Sequence, residues 1–128
     1  FMPAPIHAGG LRYHGMAPLV SKLVHEGVVE PVAYGQNECF ASGIRFARAE
    51  GIIPAPEATH AVRAVEVEVE AARAAGEART ILFNLCGHGH LELGAYQQYL
   101  DGGLADAELP QEQLDAAAAV IAGMPSAG

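Results

Sequence analysis

Apolar residues recur at helical spacing along much of the chain. The first such stretch is Met16–Glu26, where Pro18 suits a first-turn position and Gly27 suits the residue after the last turn. Residues three and four apart share one face of a helix. Here that face is apolar and consists of Met16, Leu19, Val20, Leu23 and Val24. The pattern predicts an amphipathic helix that buries this face.

Four further helices are predicted from similar patterns. Asn37 suits the cap of a helix that runs to about Glu50 and stops at Gly51. It turns Phe40, Ile44 and Ala47 inward and Arg45 and Arg48 outward. The alanine-rich stretch Ala58–Ala75 follows and stops at Gly76. The fourth helix contains Leu93, Tyr96, Tyr99 and Leu100 and stops at Gly102-Gly103. The fifth follows Pro110, with Leu114, Ala118 and Ile121 on one side.

Two stretches have strand character instead. Val28–Tyr34 is a short strand weakened by Pro31, which lacks a ladder donor. Thr80–Cys86 is an unbroken run of residues with apolar character or strand preference, with charged residues before it and glycine after it. Such a run is typical of a strand buried on both faces of a parallel sheet. The element order predicts an α/β fold with parallel strands and flanking helices. Since two strands make a poor sheet, we expect additional strands from sequence outside this chain.

Composition narrows the functional classes. Fifteen acidic residues oppose seven basic ones in 128 residues, for a net charge of −8 and a pI near 5.1. This charge repels phosphate backbones and anionic lipid, so we expect neither nucleic-acid nor membrane binding. Cys39 and Cys86 are too few for a disulfide framework, which indicates a cytosolic protein. Because Phe1 rather than methionine comes first, we also expect a fragment of a longer polypeptide.

The end of the predicted central strand is the best candidate site. Ligands of open α/β sheets bind beyond the carboxyl ends of the strands. Gly87 and Gly89 come soon after Cys86, and glycine lets the backbone turn sharply and approach a bound group closely. His88 and His90 alternate with these glycines and carry groups that can bind metals or move protons. The turn therefore predicts a binding site.

Several chemistries are open at this turn. Cys86, His88 and His90 could hold zinc together with His7 or His14. The Cys86 thiol could act as a nucleophile beside a histidine, or could be a buried structural cysteine. Backbone amides of 87–90, ahead of a helix, could cradle a phosphate. None of these patterns is specific by itself.

Three blocks of sequence resemble the tryptophan synthase β-chain family, and most closely its second, TrpB-like branch. They are His7–Met16, Glu50–Ala61 and Leu82–His90, and they occur in the order found in that family. The likeness extends to about Leu100 but matches only the carboxy-terminal portion of the family's polypeptide. It implies part of a fold-type II pyridoxal-phosphate enzyme, usually a homodimer, that joins indole to serine by β-replacement. Whether an α-subunit binds is left open.

The resemblance also implies roles for individual residues. Cys86 stands where the family normally has a serine that hydrogen-bonds the pyridine nitrogen of the cofactor, and a thiol can take this role weakly. Together with Gly87, Glu57 and Gly10, it makes up the expected cofactor side.

The loop around Gly10 is expected to form the substrate side. Its members are Arg12, Tyr13 and His14, and the backbone carbonyls of Tyr13 and Gly15 are expected to bind a monovalent cation. Standard β chains carry an acidic residue at the position of Arg12, so this side departs from the family.

One required group has no candidate in this chain. The chemistry needs a lysine that holds the cofactor covalently and moves protons, whereas Lys22 is the only lysine and lies on a predicted solvated helix face. We therefore expect a single domain that is inactive alone, with an active-site loop at 1–15, an α/β core at 16–103 and a helical tail at 104–128. The alternatives are a non-catalytic module that binds a phosphate-bearing ligand or a partner chain, and a zinc-binding domain.

Overall fold

A computed structural model describes residues 3–13, 15–107 and 110–122. Five α-helices account for its regular structure, preceded by a single 3₁₀ turn at Gly9–Leu11. The helices are α1 (Pro18–His25), α2 (Gln36–Glu50), α3 (Pro56–Ala75), α4 (Leu93–Leu100) and α5 (Gln111–Ala122). All five helices expected from the apolar periodicity are therefore confirmed, with small shifts in their bounds.

Local chemistry explains where α2 and α3 begin and end. Gly51 and Gly76 both have left-handed backbone conformations, with φ of 71° and 67°, and end the two helices as predicted. The prediction that Asn37 caps α2 is wrong. The helix already begins at Gln36, and its cap residue is Gly35. Its first amides are instead capped by carboxylates: the Gly35 N–H donates to Glu38 at 2.9 Å, and the Asn37 N–H donates to Asp106 at 2.9 Å.

The core lies between α2 and α3 and is closed by α4. Phe40 of α2 is buried, and its ring meets Tyr96 of α4 edge-on at 5.0 Å between centroids. Gly43 lies at the closest approach of α2 to α3. A Cβ at this position would come within 2.6 Å of Thr59 and 3.0 Å of the Tyr96 hydroxyl. The absence of a side chain at Gly43 therefore sets the distance between the two helices.

Ion pairs join the solvent side of the same two helices. Arg45 donates two hydrogen bonds to Glu66, at 2.8 and 2.6 Å, and the Ser42 hydroxyl donates to the same carboxylate at 2.6 Å. The bonds from Arg45 lower the pKa of Glu66. Arg63 pairs with Glu38 at 2.9 Å. Because these groups are partly exposed, they orient the helices more than they stabilise them.

The predicted α/β fold with parallel strands is wrong for the described residues. Neither Val28–Tyr34 nor Thr80–Cys86 forms a strand, and the β-type pairing present is one antiparallel bridge between Pro54 and His88. Thr80–Cys86 has no regular secondary structure, and its backbone N–H and C=O groups make no backbone hydrogen bond within the described part of the chain. An extended segment becomes a strand only when a neighbour completes its ladder. Both segments have the composition of a strand, but neither has a neighbouring strand among the described residues.

Helix α1 forms as predicted but does not bury its apolar face. Among the described residues it packs against no other helix, and Leu19 is 80% exposed. Val28 and Val32 in the segment that follows are also exposed. None of the described helices combines the length and the apolar character needed to cross a bilayer.

We predict that Gly43→Ala destabilises the chain, whereas Gly94→Ala does not. Alanine favours a helix over glycine by up to about 1 kcal/mol. At Gly43 this gain is opposed by overlap with Thr59 and Tyr96, and overpacking costs about 1–3 kcal/mol. Gly94 of α4 is the matched control, because a Cβ added there would have no neighbour within 4 Å. Urea unfolding followed by circular dichroism measures both, and equal stability of the two variants would contradict the close helix crossing.

Candidate functional site

The connector Ile53–Glu57, which follows α2 and runs into the first turn of α3, pairs with the glycine-rich turn that follows Cys86. The Gly89 N–H donates to the Ile53 carbonyl at 2.8 Å, and the Ala55 N–H donates to the Gly87 carbonyl at 3.3 Å. This short antiparallel contact fixes the position of the turn and of the residue just before it. Two segments more than thirty residues apart in sequence are thereby held side by side.

The two glycines of the turn are required by this contact. Gly87 has a φ of 78°, which a side chain would strain. Gly89 is buried, and a Cβ there would overlap the Pro54 carbonyl oxygen. Both residues make the sharp turn that was predicted. The group they approach is the connector of this chain, and the close approach to a bound ligand stays a prediction.

Tyr96 holds the connector from the other side. Its hydroxyl donates a buried hydrogen bond to the Pro54 carbonyl at 2.7 Å. Burial raises the pKa of Tyr96 to about 12, with a further contribution from Glu92, so the phenol stays protonated and able to donate at neutral pH. The sequence indicated only that Tyr96 belongs to a helix. Nothing in the sequence pattern predicted its hydrogen bond to the connector.

The amino-terminal loop reaches the other end of the connector through Glu57. The Gly10 N–H donates to Glu57 Oε1 at 2.8 Å, and a Cβ at Gly10 would lie 3.1 Å from Glu57 Cγ. Glu57 lies in the first turn of α3, where its charge is favoured by the helix dipole. Two residues expected on the cofactor side, Glu57 and Gly10, are thus in direct contact.

Buried Gln36 also fastens this loop. Its side-chain oxygen accepts from the His7 N–H at 3.2 Å, and its side-chain amide donates to the Ala105 carbonyl. The loop that carries Gly10 is therefore attached both to α2 and to α3. The sequence analysis missed Gln36, since a glutamine at the start of a predicted helix is ordinarily solvated.

A cleft of about 310 Å³ opens beside Glu57. Its polar lining includes His7, Arg12, Glu57 and Glu92. One carboxylate oxygen of Glu92 is buried and has no hydrogen-bond partner among the described residues. Glu92, like Gln36, was not foreseen. Of the predicted loop residues, Arg12 lines this cleft, whereas Tyr13 is exposed.

Two predictions about this loop remain untested. His14 lies outside the described residues. The cation site expected at the carbonyls of Tyr13 and Gly15 flanks His14 and stays a prediction. Gly15 itself is exposed, with no neighbour within 4 Å of an added Cβ.

The Cys86 thiol is exposed, which excludes a buried structural role within the described chain. The rings of His88 and His90 lie 4.9 Å apart, and the His90 N–H donates to His88 Nδ1 at 3.3 Å. Across the described ranges, no three His, Cys, Asp or Glu side chains converge as a metal site would require. The zinc hypothesis therefore gains no support from the geometry.

Neither the other cysteine nor the single lysine lines the cleft. Cys39 is fully buried in α2, and burial raises its pKa to about 12, with a smaller contribution from Glu38. Lys22 is exposed on α1 and pairs with Glu26, one turn along the same helix. Its predicted solvated position is confirmed.

Comparison with curated proteins finds close relatives. The chain is 55% identical over 106 residues to the tryptophan synthase beta chain 2 of Aquifex aeolicus, covering 83% of this chain and 24% of that protein. It is 57% identical over 104 residues to the tryptophan synthase beta chain 2 of Pyrococcus abyssi, covering 81% of this chain and 24% of the relative. The chain thus spans about a quarter of the length of these relatives. No family model matches it.

We predict that Tyr96→Phe loosens the connector, whereas Tyr99→Phe does not. Loss of the Tyr96 hydroxyl leaves the buried Pro54 carbonyl without its donor, which costs about 1–3 kcal/mol of unfolding free energy. Tyr99 stacks on Phe40 at 5.7 Å, and its hydroxyl makes no hydrogen bond within the described residues. Urea unfolding of the two variants gives the comparison. Equal losses would show that the Tyr96 bond does not support the connector.

We also predict that the two cysteines differ in their rate of alkylation. With iodoacetamide at pH 8, the exposed Cys86 is modified first, while Cys39 reacts only after urea unfolds the chain. At that pH the raised pKa of Cys39 leaves its thiol protonated, and the thiolate is the reactive form. Peptide mass spectrometry identifies the modified residue. Cys86→Ser is the control and should remain unlabelled without urea; rapid labelling of Cys39 would contradict its burial.

Proposed function

We propose that the chain corresponds to a carboxy-terminal portion of a tryptophan synthase β chain and supplies one wall of the pyridoxal-phosphate site of such an enzyme. The complete enzyme would join serine to indole by β-replacement. Because the chain spans about a quarter of its relatives, the remaining walls would come from polypeptide that it does not match.

One observation carries this proposal. The three sequence blocks that resemble the family meet at a single place, the connector Ile53–Glu57. The connector hydrogen-bonds the turn after Cys86 on one side, and its last residue accepts from Gly10 on the other. Segments separated by dozens of residues converge in this way when they build a common site.

The chain's own residues fit one edge of the cofactor. Cys86 presents an exposed thiol directly before a turn that is held in place by backbone hydrogen bonds. A thiol is a weak donor and acceptor, suited to the pyridine nitrogen without forcing its protonation. When bound, the cofactor supplies an electron sink for the reacting carbon of the amino acid. Glu57 and Gly10 would close the neighbouring side of the pocket.

The substrate side would be the cleft beside Glu57. Arg12 brings a guanidinium that can hold the carboxylate of serine, while Glu57 and Glu92 bring negative charge suited to its ammonium group. This combination would orient an amino acid with respect to the Cys86 edge. The expected monovalent cation at Tyr13 and Gly15 belongs to the same side.

The covalent attachment of the cofactor would lie outside this chain. Lys22 is exposed on α1, paired with Glu26, and α1 does not pack against the helices that hold the site. We further propose a cytosolic location, supported by the two free cysteines, and a homodimer, which rests on the resemblance to the family. Binding of an α-subunit is left to experiment.

A chimera tests this proposal. The 104 matched residues of the Pyrococcus abyssi relative are replaced by the corresponding residues of this chain. We expect the absorption band of protein-bound pyridoxal phosphate and the formation of tryptophan from serine and indole. In the chimera, Cys86→Ser should retain kcat. Cys86→Ala should lower it about fivefold, since one lost hydrogen bond is worth about 1 kcal/mol.

The control for general damage is Cys39→Ala, which removes a buried thiol that does not line the cleft. A folded chimera without the cofactor band would contradict the proposal and favour a non-catalytic binding module. Equal activity of Cys86→Ser and Cys86→Ala would remove Cys86 from the site.

A further inference from the structure

The amino-terminal loop forms one wall of the cleft beside Glu57. This wall includes His7 and Arg12, while the rest of the lining comes from the starts of α3 and α4 and includes Glu57 and Glu92. The only regular structure of the loop, among the described residues, is the 3₁₀ turn Gly9–Leu11. The place of Arg12 in the cleft therefore depends on what holds the loop from outside.

Two side chains hold the described part of this loop through long-range hydrogen bonds. Glu57 accepts from the Gly10 N–H at 2.8 Å, and Gln36 accepts from the His7 N–H at 3.2 Å. Glu57 itself lines the cleft, so its carboxylate would also be attracted to a bound cationic group. Gln36 does not line the cleft. Its hold on the loop is therefore independent of what the cleft contains.

The surroundings of Gln36 require an amide. The residue is only 6% exposed, and while its Oε1 accepts from the His7 N–H, its Nε2 donates to the Ala105 carbonyl. A carboxylate can only accept and an ammonium group can only donate, whereas an amide does both. The bond to Ala105 thus fixes which end of the amide is turned toward His7.

The segment that carries Ala105 is fixed to the start of α2. The side-chain amide of Asn37 donates to the Leu104 carbonyl at 3.3 Å, and the Asn37 N–H donates to Asp106 Oδ1 at 2.9 Å. Leu104 also packs against the aromatic core. Gln36 is therefore held by a packed segment while it holds the loop.

We propose that Gln36 is a positioning residue for the amino-acid substrate. It does not line the cleft, but through the His7 amide it holds the loop so that Arg12 lies in the same cleft as Glu57 and Glu92. Without this hold the guanidinium would move relative to the two carboxylates, and the carboxylate and ammonium groups of serine could no longer be bound together. The identity of the substrate rests on the proposed function, whereas the hold on the loop does not.

Hydrogen exchange of this chain tests the hold without any cofactor. Gln36→Leu removes both hydrogen bonds at similar size, and amides of 7–12 should exchange at least about fivefold faster, as expected for one lost hydrogen bond. Asn37→Leu is the matched control, because it removes a bond to the segment 104–106 but none to the loop. It should leave the exchange of 7–12 unchanged. Slow exchange in α2 and α3 shows that each variant is folded.

Kinetics of the chimera test the effect on the substrate. Gln36→Leu should raise KM for serine at least about fivefold, while kcat and KM for indole change by less than about twofold. Asn37→Leu should leave all three unchanged. A merely structural role would instead lower kcat through loss of folded enzyme, without a change in KM for serine.

Two further variants at Gln36 complete the test. Gln36→Glu keeps an oxygen for the His7 N–H and puts its charge in the first turn of α2, where the helix dipole favours it. It should bring KM for serine back to within about twofold of the parent chimera. Gln36→Asn keeps the amide but is one methylene too short to reach both partners, and it replaces Gln36→Leu if that variant does not fold.

The outcomes separate this proposal from the proposed function. Exchange at 7–12 that is equal in Gln36→Leu and Asn37→Leu overturns the positioning role, with or without the cofactor band. In a chimera that has the band, a KM for serine that is unchanged in Gln36→Leu, or raised equally in Gln36→Glu, also overturns it. A chimera without the band removes the proposed function and serine as the substrate, and faster exchange in Gln36→Leu alone would still support the hold on the loop.

Discussion

The hydroxyl of Tyr96 donates to the carbonyl of Pro54 inside the core, and most of the candidate site depends on the connector that this bond holds. On one side, the connector pairs with the turn at Gly87–Gly89. On the other, it leads into α3, where Glu57 accepts from Gly10. A connector without regular structure is ordinarily mobile. Here it is fixed because its backbone groups bond to Tyr96 and to the turn, while the side chain of Glu57 accepts from Gly10.

The helical core and the rest of the chain differ in how completely they are packed. Between α2 and α3 the contact is so close that Gly43 has no room for a methyl group. By contrast, α1 leaves its apolar face exposed, and Thr80–Cys86 leaves its backbone edges unpaired among the described residues. These unsatisfied surfaces lie on segments adjoining the candidate site. The same chain thus combines closely packed helices that hold the site with exposed surfaces, on α1 and Thr80–Cys86, that are suited to a partner.

Sequence reasoning succeeded for the features that local chemistry controls. The helical periods, the left-handed stops at Gly51 and Gly76, and the solvated position of Lys22 are consequences of side chains close together in sequence. It failed for the sheet, because strand composition at Thr80–Cys86 specifies a preference while the ladder requires a neighbour. It also missed Gln36 and Glu92, whose roles arise from contacts with residues far along the chain or from burial in a cleft.

By itself, the sequence determined the helices, the glycines that end them and the resemblance of three blocks to one enzyme family. Each of these depends only on the order and spacing of residues along the chain. Only the tertiary structure decided that the blocks converge on Ile53–Glu57, that Cys86 is exposed while Cys39 is buried, and that Thr80–Cys86 lacks strand partners in the described chain. The physical reason is that burial and hydrogen-bond pairing are properties of neighbours in space. Periodicity along a chain can indicate which side of an element needs a neighbour, but it cannot say which residue will be there.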